Sequence, residues 1–115
     1  MNEKDPLVFI RHINDEIDKI LGSTRGVSKE KFMENSLLRD ASVRRMEIIG
    51  EAVKRLPGDL IEKYPDIEWK KIAGLRDILI HAYFGIDIEI IWDVVQNKIP
   101  ELKEQILLIQ SKIKK

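Results

Sequence analysis

The stretch Ile88-Glu-Ile-Ile-Trp92-Asp-Val-Val95-Gln-Asn-Lys-Ile99-Pro-Glu-Leu102-Lys-Glu-Gln-Ile106-Leu-Leu-Ile109-Gln-Ser-Lys-Ile113 decides the fold class. Ile88, Trp92, Val95, Ile99, Leu102, Ile106, Ile109 and Ile113 are separated by alternating steps of four and three. That period puts them on one side of an α-helix, as a seam that packs on neighbouring helices at shallow angles. A strand would need apolar residues at every second position. Pro100 lies inside the seam. Proline costs roughly 3 kcal/mol in a helix interior, so a kink or break is expected near Ile99. Ile90, Ile91, Val94, Leu107 and Leu108 fall beyond the seam. They predict a second apolar face, suited to another copy of the chain. Asp87 is placed to cap this helix, and Lys112, Lys114 and Lys115 suit the negative end of its dipole.

The same period recurs towards the N-terminus. Asp5-Pro6 is a helix start, with an acceptor at the N-cap and proline at N1. Phe9, Ile10, Ile13, Ile17, Ile20 and Leu21 form one stripe, and Gly22 is expected to close the helix. His12 falls off the stripe and reads as a solvated surface histidine. Ser28 can cap a short helix over Lys29–Glu34, and Asn35-Ser36 can start a longer one, roughly Leu37 to Leu56. On that helix Leu38, Ser42, Met46, Ile49, Val53 and Leu56 share a face, with Ala41, Ile48 and Ala52 at its margin. Arg45 sits within the stripe, about 40° from Ile49 at ~100° per residue. A charge there needs a partner or a wet interface. It is one half of a buried ion pair, a snorkelling side chain, or a contact for phosphate. Pro57-Gly58-Asp59 is a turn, and Leu60–Tyr64 reads as a short helix ended by Pro65. Asp66 is expected to cap one further helix running to Gly85. Ile67, Trp69, Ile72, Ala73, Leu75, Ile78, Leu79 and Phe84 make that helix apolar on more than one side, hence deeply packed.

No segment reads as a strand. The chain is therefore expected to be all-α: an antiparallel bundle of four to five helices forming a single domain over residues 1–115, with no β-sheet.

Composition limits function. The chain has 115 residues, 43% hydrophobic and 35% charged, with 20 basic and 20 acidic side chains and no cysteine. Zero formal charge gives no global pull towards nucleic acid, so a polyanion site must come from local clustering. Without cysteine there are no disulfides, thiolate metal sites or cysteine nucleophiles. No apolar run approaches the roughly 18 residues of a membrane span, and Met1–Pro6 has no secretory-signal character. A cytoplasmic location is expected.

The densest cluster of reactive side chains is Gly74-Leu-Arg76-Asp77-Ile-Leu-Ile-His81-Ala-Tyr83-Phe-Gly85, which holds one of the chain's two histidines. On a regular helix Asp77 and His81 share a face, so the carboxylate can orient the ring and favour its protonated form. Arg76 and His81 diverge by about 140°. Bringing both to one substrate needs the helix to loosen near Gly85, or a second copy across a two-fold axis. Arginine and histidine without metal suit cleavage of RNA by its own 2′-hydroxyl. Histidine supplies acid or base, and guanidinium meets the charge on phosphorus. One histidine with scattered carboxylates is no zinc set, and there is neither a triad signature nor a glycine-rich phosphate loop. The residues alone favour the plainer reading, a partly buried histidine satisfied by Asp77, with Arg76 in a surface ion pair.

Arg76-Asp-Ile-Leu-Ile-His81-Ala-Tyr83 is similar to the Arg-x4-His-x-Tyr motif of HepT-like toxins, a branch of the HEPN superfamily. Trp69 to Asp87 resembles the surrounding motif block, and Arg45-Met-Glu-Ile-Ile-Gly-Glu-Ala52 resembles the family's second-helix block. The resemblance spans essentially the whole chain. It implies a HEPN-type bundle that forms a homodimer with the motifs facing across a cleft. It also implies a metal-independent ribonuclease, the toxin of a toxin–antitoxin pair, that takes RNA such as tRNA or mRNA and needs no cofactor. The implied partner is an MntA-like nucleotidyltransferase antitoxin. Carried over, Arg76 and His81 are the catalytic pair and Asp77 supports them. Tyr83 accepts AMP from the antitoxin, and Arg45 is a further candidate for RNA phosphate. The competing reading is a non-catalytic helical module that the nucleotidyltransferase binds and AMP-modifies.

Overall fold

The computed structural model describes residues 5–81 and 88–113. Its helices are α1 (Pro6–Thr24), α2 (Lys29–Glu34), α3 (Ser36–Lys54), α4 (Gly58–Lys63), α5 (Trp69–Ala73), α6 (Leu75–His81), α7 (Ile88–Asp93) and α8 (Ile99–Ile113), with a π-helical turn over Val94–Lys98 between the last two. Among the described residues there is no strand, and no helix is long and apolar enough to cross a membrane. The fold is all-α. Tyr83, Phe84, Gly85 and Asp87 lie outside the described residues, and with them the expected helix stop at Gly85 and cap at Asp87.

The caps follow local chemistry. Asp5 Oδ1 accepts from the Leu7 N–H (3.0 Å) ahead of Pro6. Ser28 Oγ accepts from Lys31 N–H (3.2 Å), and Asn35 Oδ1 from Leu38 N–H (3.0 Å). Each satisfies one of the donors that a helix start leaves unpaired. Gly22 does not close α1. The helix continues to Thr24, whose hydroxyl donates back to the Ile20 carbonyl (2.8 Å), and the chain reverses at Gly26, where φ is +72°. A left-handed backbone is cheap only for glycine, so Gly26 is the residue that makes the turn.

The core is built on α1. Ile10, Ile13, Ile17 and Ile20 are fully buried, each contributing roughly 1.5–3 kcal/mol. α3 and α8 cover that stripe. The α3 face matches its pattern, with Ser42, Met46, Ile49, Ala52 and Val53 buried. Lys103 on α8 reaches Asn14 (2.8 Å) and Asp18 (2.7 Å) of α1. α2 closes one end through Phe32, fully buried with its ring 5.0 Å from that of Trp92.

Several further expectations are corrected. Of the kink or break expected near Ile99, the break is absent, and the irregularity is a turn just before it. Residues 88–113 are helical throughout, and Val94–Lys98 widens into a π turn in which the Ile99 N–H bonds to the Val94 carbonyl. Such a widened turn is rare, and where it occurs it mostly sits, as here, inside a longer α-helix. It lets Val94 and Val95 both face the core while Ile99 and Leu102 stay buried beyond the proline. The second apolar face is consequently narrower than expected. Ile91 and Val94 are core residues, and Ile90, Leu107 and Leu108 are the exposed ones.

Asp66 does not cap the next helix. Pro65 and Asp66 are used in a turn closed by Ile67 N–H to the Tyr64 carbonyl (3.2 Å), and α5 starts only at Trp69. Trp69 is anchored by its indole N–H, which donates to the Tyr64 carbonyl (3.0 Å).

The expected single helix up to Gly85 is two helices hinged at Gly74. Gly74 sits at φ −88°, ψ 4° and ends α5. Its carbonyl then accepts from Asp77 N–H (3.1 Å) to begin α6. The cause lies on α3. A Cβ added at Gly50 would stand 3.1 Å from the Ile72 carbonyl oxygen and 3.5 Å from that of Ala73. Without it, the two backbones meet directly and fix the level at which α5 ends.

Gly50→Ala is expected to push these backbones apart. Overpacking costs roughly 1–3 kcal/mol, against about 1 kcal/mol gained in helix propensity. A net loss near 1 kcal/mol lowers the melting temperature by about 4 °C. Gly22→Ala is the control: α1 has open space at that position, so thermal melts should show no loss and a gain of up to about 1 kcal/mol. Equal melting behaviour of the two variants would refute the close-contact account.

Candidate functional site

α6 is a seven-residue helix held by its apolar positions. Leu79 is fully buried and Leu75 nearly so, one turn apart, and the helix packs on α3 and α5. Asp77 is exposed on the side away from this anchor. Arg76 and His81 are the second and last residues of α6. The backbone is regularly α-helical from one to the other, with no loosened turn between them. Their positions are therefore about 140° apart around the axis, with Asp77 between them. Asp77 and His81, four residues apart, share a face as expected. Tyr83 lies outside the described residues.

Arg45 is accounted for by an ion pair. Its guanidinium lies 3.5 Å from Glu16 Oε1, with the arginine side chain 32% exposed and the glutamate 12%. The stripe position that made Arg45 conspicuous is thus filled from α1. The structure brings Arg76, Asp77 and His81 onto one short helix and leaves Arg45 paired elsewhere, on the α1–α3 face. Among the described residues no group of three or more His, Asp or Glu side chains could hold a metal ion.

A feature that the sequence reading did not locate lies on the other flank of α6. A groove of about 550 Å³ runs between α5–α6 and the α7–α8 helix. Leu75, Ile78, Ile90 and Leu102 contribute to its apolar lining, and Glu68, Lys71, Asp93 and Lys98 are among its charged residues. The Lys71 ammonium, 3.0 Å from Glu68, holds the Glu68 carboxyl below its ordinary range, chiefly by hydrogen bonding and then by charge, with a smaller contribution from Lys98. The sequence signal was Ile90, beyond the seam; Ile78, read as part of a deeply packed helix, is instead 43% exposed.

A family model described as ribonuclease HepT-like matches residues 13–109. The match spans Arg45, the whole of α5 and α6, and Tyr83. The chain belongs to the HepT-like ribonuclease family. Among curated proteins, one from Caldanaerobacter subterraneus, named only as a candidate RNase, is 44% identical over 96% of this chain and 99% of its own length. A Thermococcus cleftensis protein named "Probable ribonuclease HepT" is 40% identical over 83% of this chain and 86% of its own. A Methanocaldococcus jannaschii protein, named for both a gamma-glutamylcyclotransferase and a candidate RNase, is 45% identical over 97% of this chain. This HepT-like chain spans half of that relative's length. No solved structure matches it.

Anchoring of the motif helix through Leu79 can be tested separately from chemistry. Leu79→Ala is expected to cost about 2–5 kcal/mol in urea unfolding. Amides of α6 should also lose hydrogen-exchange protection before those of α1. Uniform loss across the chain would show that α6 is not separately held.

Proposed function

We propose that this HepT-like chain is an endoribonuclease that cleaves RNA by 2′-hydroxyl transesterification in a cleft between two copies. The observation that carries the reading is the placement of Arg76 and His81 on one regular helix, about 140° apart around its axis. Two such helices facing across a two-fold axis would set the arginine of one beside the histidine of the other. In the reaction the 2′-hydroxyl loses its proton to a base and its oxygen bonds phosphorus. The bond from phosphorus to the 5′ oxygen breaks, and that oxygen takes a proton from an acid. The products are a 2′,3′-cyclic phosphate and a 5′-hydroxyl. His81 serves as acid or base, Asp77 favours its protonated form, and Arg76 meets the charge building on the phosphoryl oxygens. These steps require no metal ion. Arg45 has one nitrogen on Glu16 and its side chain is 32% exposed, so it is at most a secondary phosphate contact beside Arg76.

In the same reading the protein is the toxin of a toxin–antitoxin pair, neutralised by an MntA-like nucleotidyltransferase. The Tyr83 hydroxyl attacks the α-phosphorus of ATP, pyrophosphate leaves, and the phenolic proton passes to a base of the partner. The added AMP brings an anion close to the RNA path and repels the substrate.

His81→Ala is expected to lower cleavage by about 10²–10⁴-fold and Arg76→Ala by about 10²–10³-fold, with folding retained. Chelator should leave the wild-type rate unchanged. End-group analysis should find cyclic phosphate, and full activity of a clean His81→Ala protein would refute the mechanism. Asp77→Asn removes a negative charge from the histidine face. It should lower the cleavage rate, by a smaller factor than His81→Ala does. No change would place Asp77 outside the site.

A further inference from the structure

The groove beside α6 is used by none of this chemistry, and its composition points to an occupant. Its lining runs along the α7–α8 helix from Ile90 to Gln105, a length of about 22 Å at 1.5 Å per residue. That is about four helical turns, the span of a peptide helix rather than of a single small molecule. Ile78 and Ile90 stand on opposite walls, 43% and 37% exposed. Paired apolar side chains left open in a groove mark an interaction surface more often than scattered surface residues do. Around them are four carboxylates, Asp66, Glu68, Asp93 and Glu101, against two ammonium groups, Lys71 and Lys98. Lys71 is already paired with Glu68 at 3.0 Å. The local excess is two negative charges in a chain whose formal charge is zero. Such a rim repels RNA and favours a cationic partner.

The groove also lies on a different side of α6 from the catalytic face. At 100° per residue, the midpoint of Leu75 and Ile78 is about 130° from Asp77. If a second copy meets the Asp77 side, as the proposed function requires, the groove stays open for something else; the inference rests on that reading to this extent.

We propose that the groove docks a lysine- and arginine-rich amphipathic helix of another protein. Its apolar residues, recurring one turn apart, would seat between Ile78 and Ile90, and its cationic flanks would meet Glu68, Asp93 and Glu101. Because Leu75 and Ile78 belong to the helix that carries Arg76 and His81, the docked helix would bear directly on the placement of the catalytic pair.

The test is calorimetric titration of the full chain with an 18-residue peptide helix carrying leucine at i, i+3, i+4 and i+7 repeats and lysine elsewhere. A matched peptide with glutamate for lysine and a single-stranded RNA oligonucleotide are titrated in parallel. The lysine peptide is expected to bind at least tenfold more tightly than the glutamate peptide, with methyl NMR shifts at Ile78 and Ile90. The exposed pair Ile78→Ser/Ile90→Ser should weaken it at least tenfold while melting normally. Glu68→Lys/Glu101→Lys should reverse the preference between the peptides. Equal binding of both peptides, no binding, or binding indifferent to these variants would overturn the proposal. So would oligonucleotide shifts at Ile78 and Ile90, or a wild-type dimer that Ile78→Ser/Ile90→Ser turns into a monomer. His81→Ala should keep peptide binding. A chain that cleaves RNA but ignores the peptide refutes only the docking proposal. A chain that binds the peptide but cannot cleave RNA refutes only the nuclease reading.

Discussion

The close approach of the Gly50 backbone of α3 to the Ile72 carbonyl of α5 governs where α5 ends and α6 begins. A Cβ at position 50 would stand 3.1 Å from that carbonyl oxygen, closer than a side chain is ordinarily tolerated. Because nothing stands there, α5 is drawn onto α3, ends at Gly74, and hands over to α6 at a level set by α3. α6 has seven residues. A helix that short has no stability of its own in water, since nucleation is costly and few hydrogen bonds follow it. Its direction is therefore inherited from Gly50, from the Gly74 hinge and from the burial of Leu75 and Leu79. The positions of Arg76 and His81 follow from packing rather than from any preference of their own.

The last helix solves a related problem differently. The seam from Ile88 to Ile113 has to pass Pro100 without losing contact with α1. A break would detach Leu102, Ile106 and Ile109, all core residues. The π turn over Val94–Lys98 keeps the helix continuous and turns both valines inward. It also adjoins the groove, which Asp93, Val94 and Lys98 help to line.

Much of this could be read from the residues. The isoleucine stripe of α1, the caps at Asp5, Ser28 and Asn35, and the seam of α8 depend on local periodicity and on side chains that bond their own neighbours. The features that could not be read depend on partners distant in sequence. Asp66 has the chemistry of a cap, but Pro65 draws it into a turn. Gly74 looks like an isolated helix glycine until Gly50 brings α5 against α3. Arg45 could be marked as needing a partner, but Glu16, 29 residues away, could not be named. For the candidate site, the angular divergence of Arg76 and His81 was legible, and α6 retains it. The groove was not, because each of its walls looks like the margin of an ordinary apolar stripe until the two are set side by side.

The divergence along α6 has a consequence for how such a site is controlled. The helix has a buried edge at Leu79, an exposed face at Asp77 and a groove wall at Ile78. In the proposed reading, Arg76 and His81, split around one helix, would be assembled only when a second copy on the exposed face supplies the complementary half. A small rotation of α6 would then alter the approach of the two residues in opposite senses relative to the two-fold axis, because their positions lie on either side of Asp77. Cleavage chemistry is sensitive to misplacement of about 1 Å. A contact that bears on Leu75 and Ile78 therefore needs only to tilt a helix of two turns, held by two leucines, to change the alignment of both groups at once. Control through the groove would need no occupant in the RNA path, and so is physically distinct from blocking the cleft with a modified Tyr83.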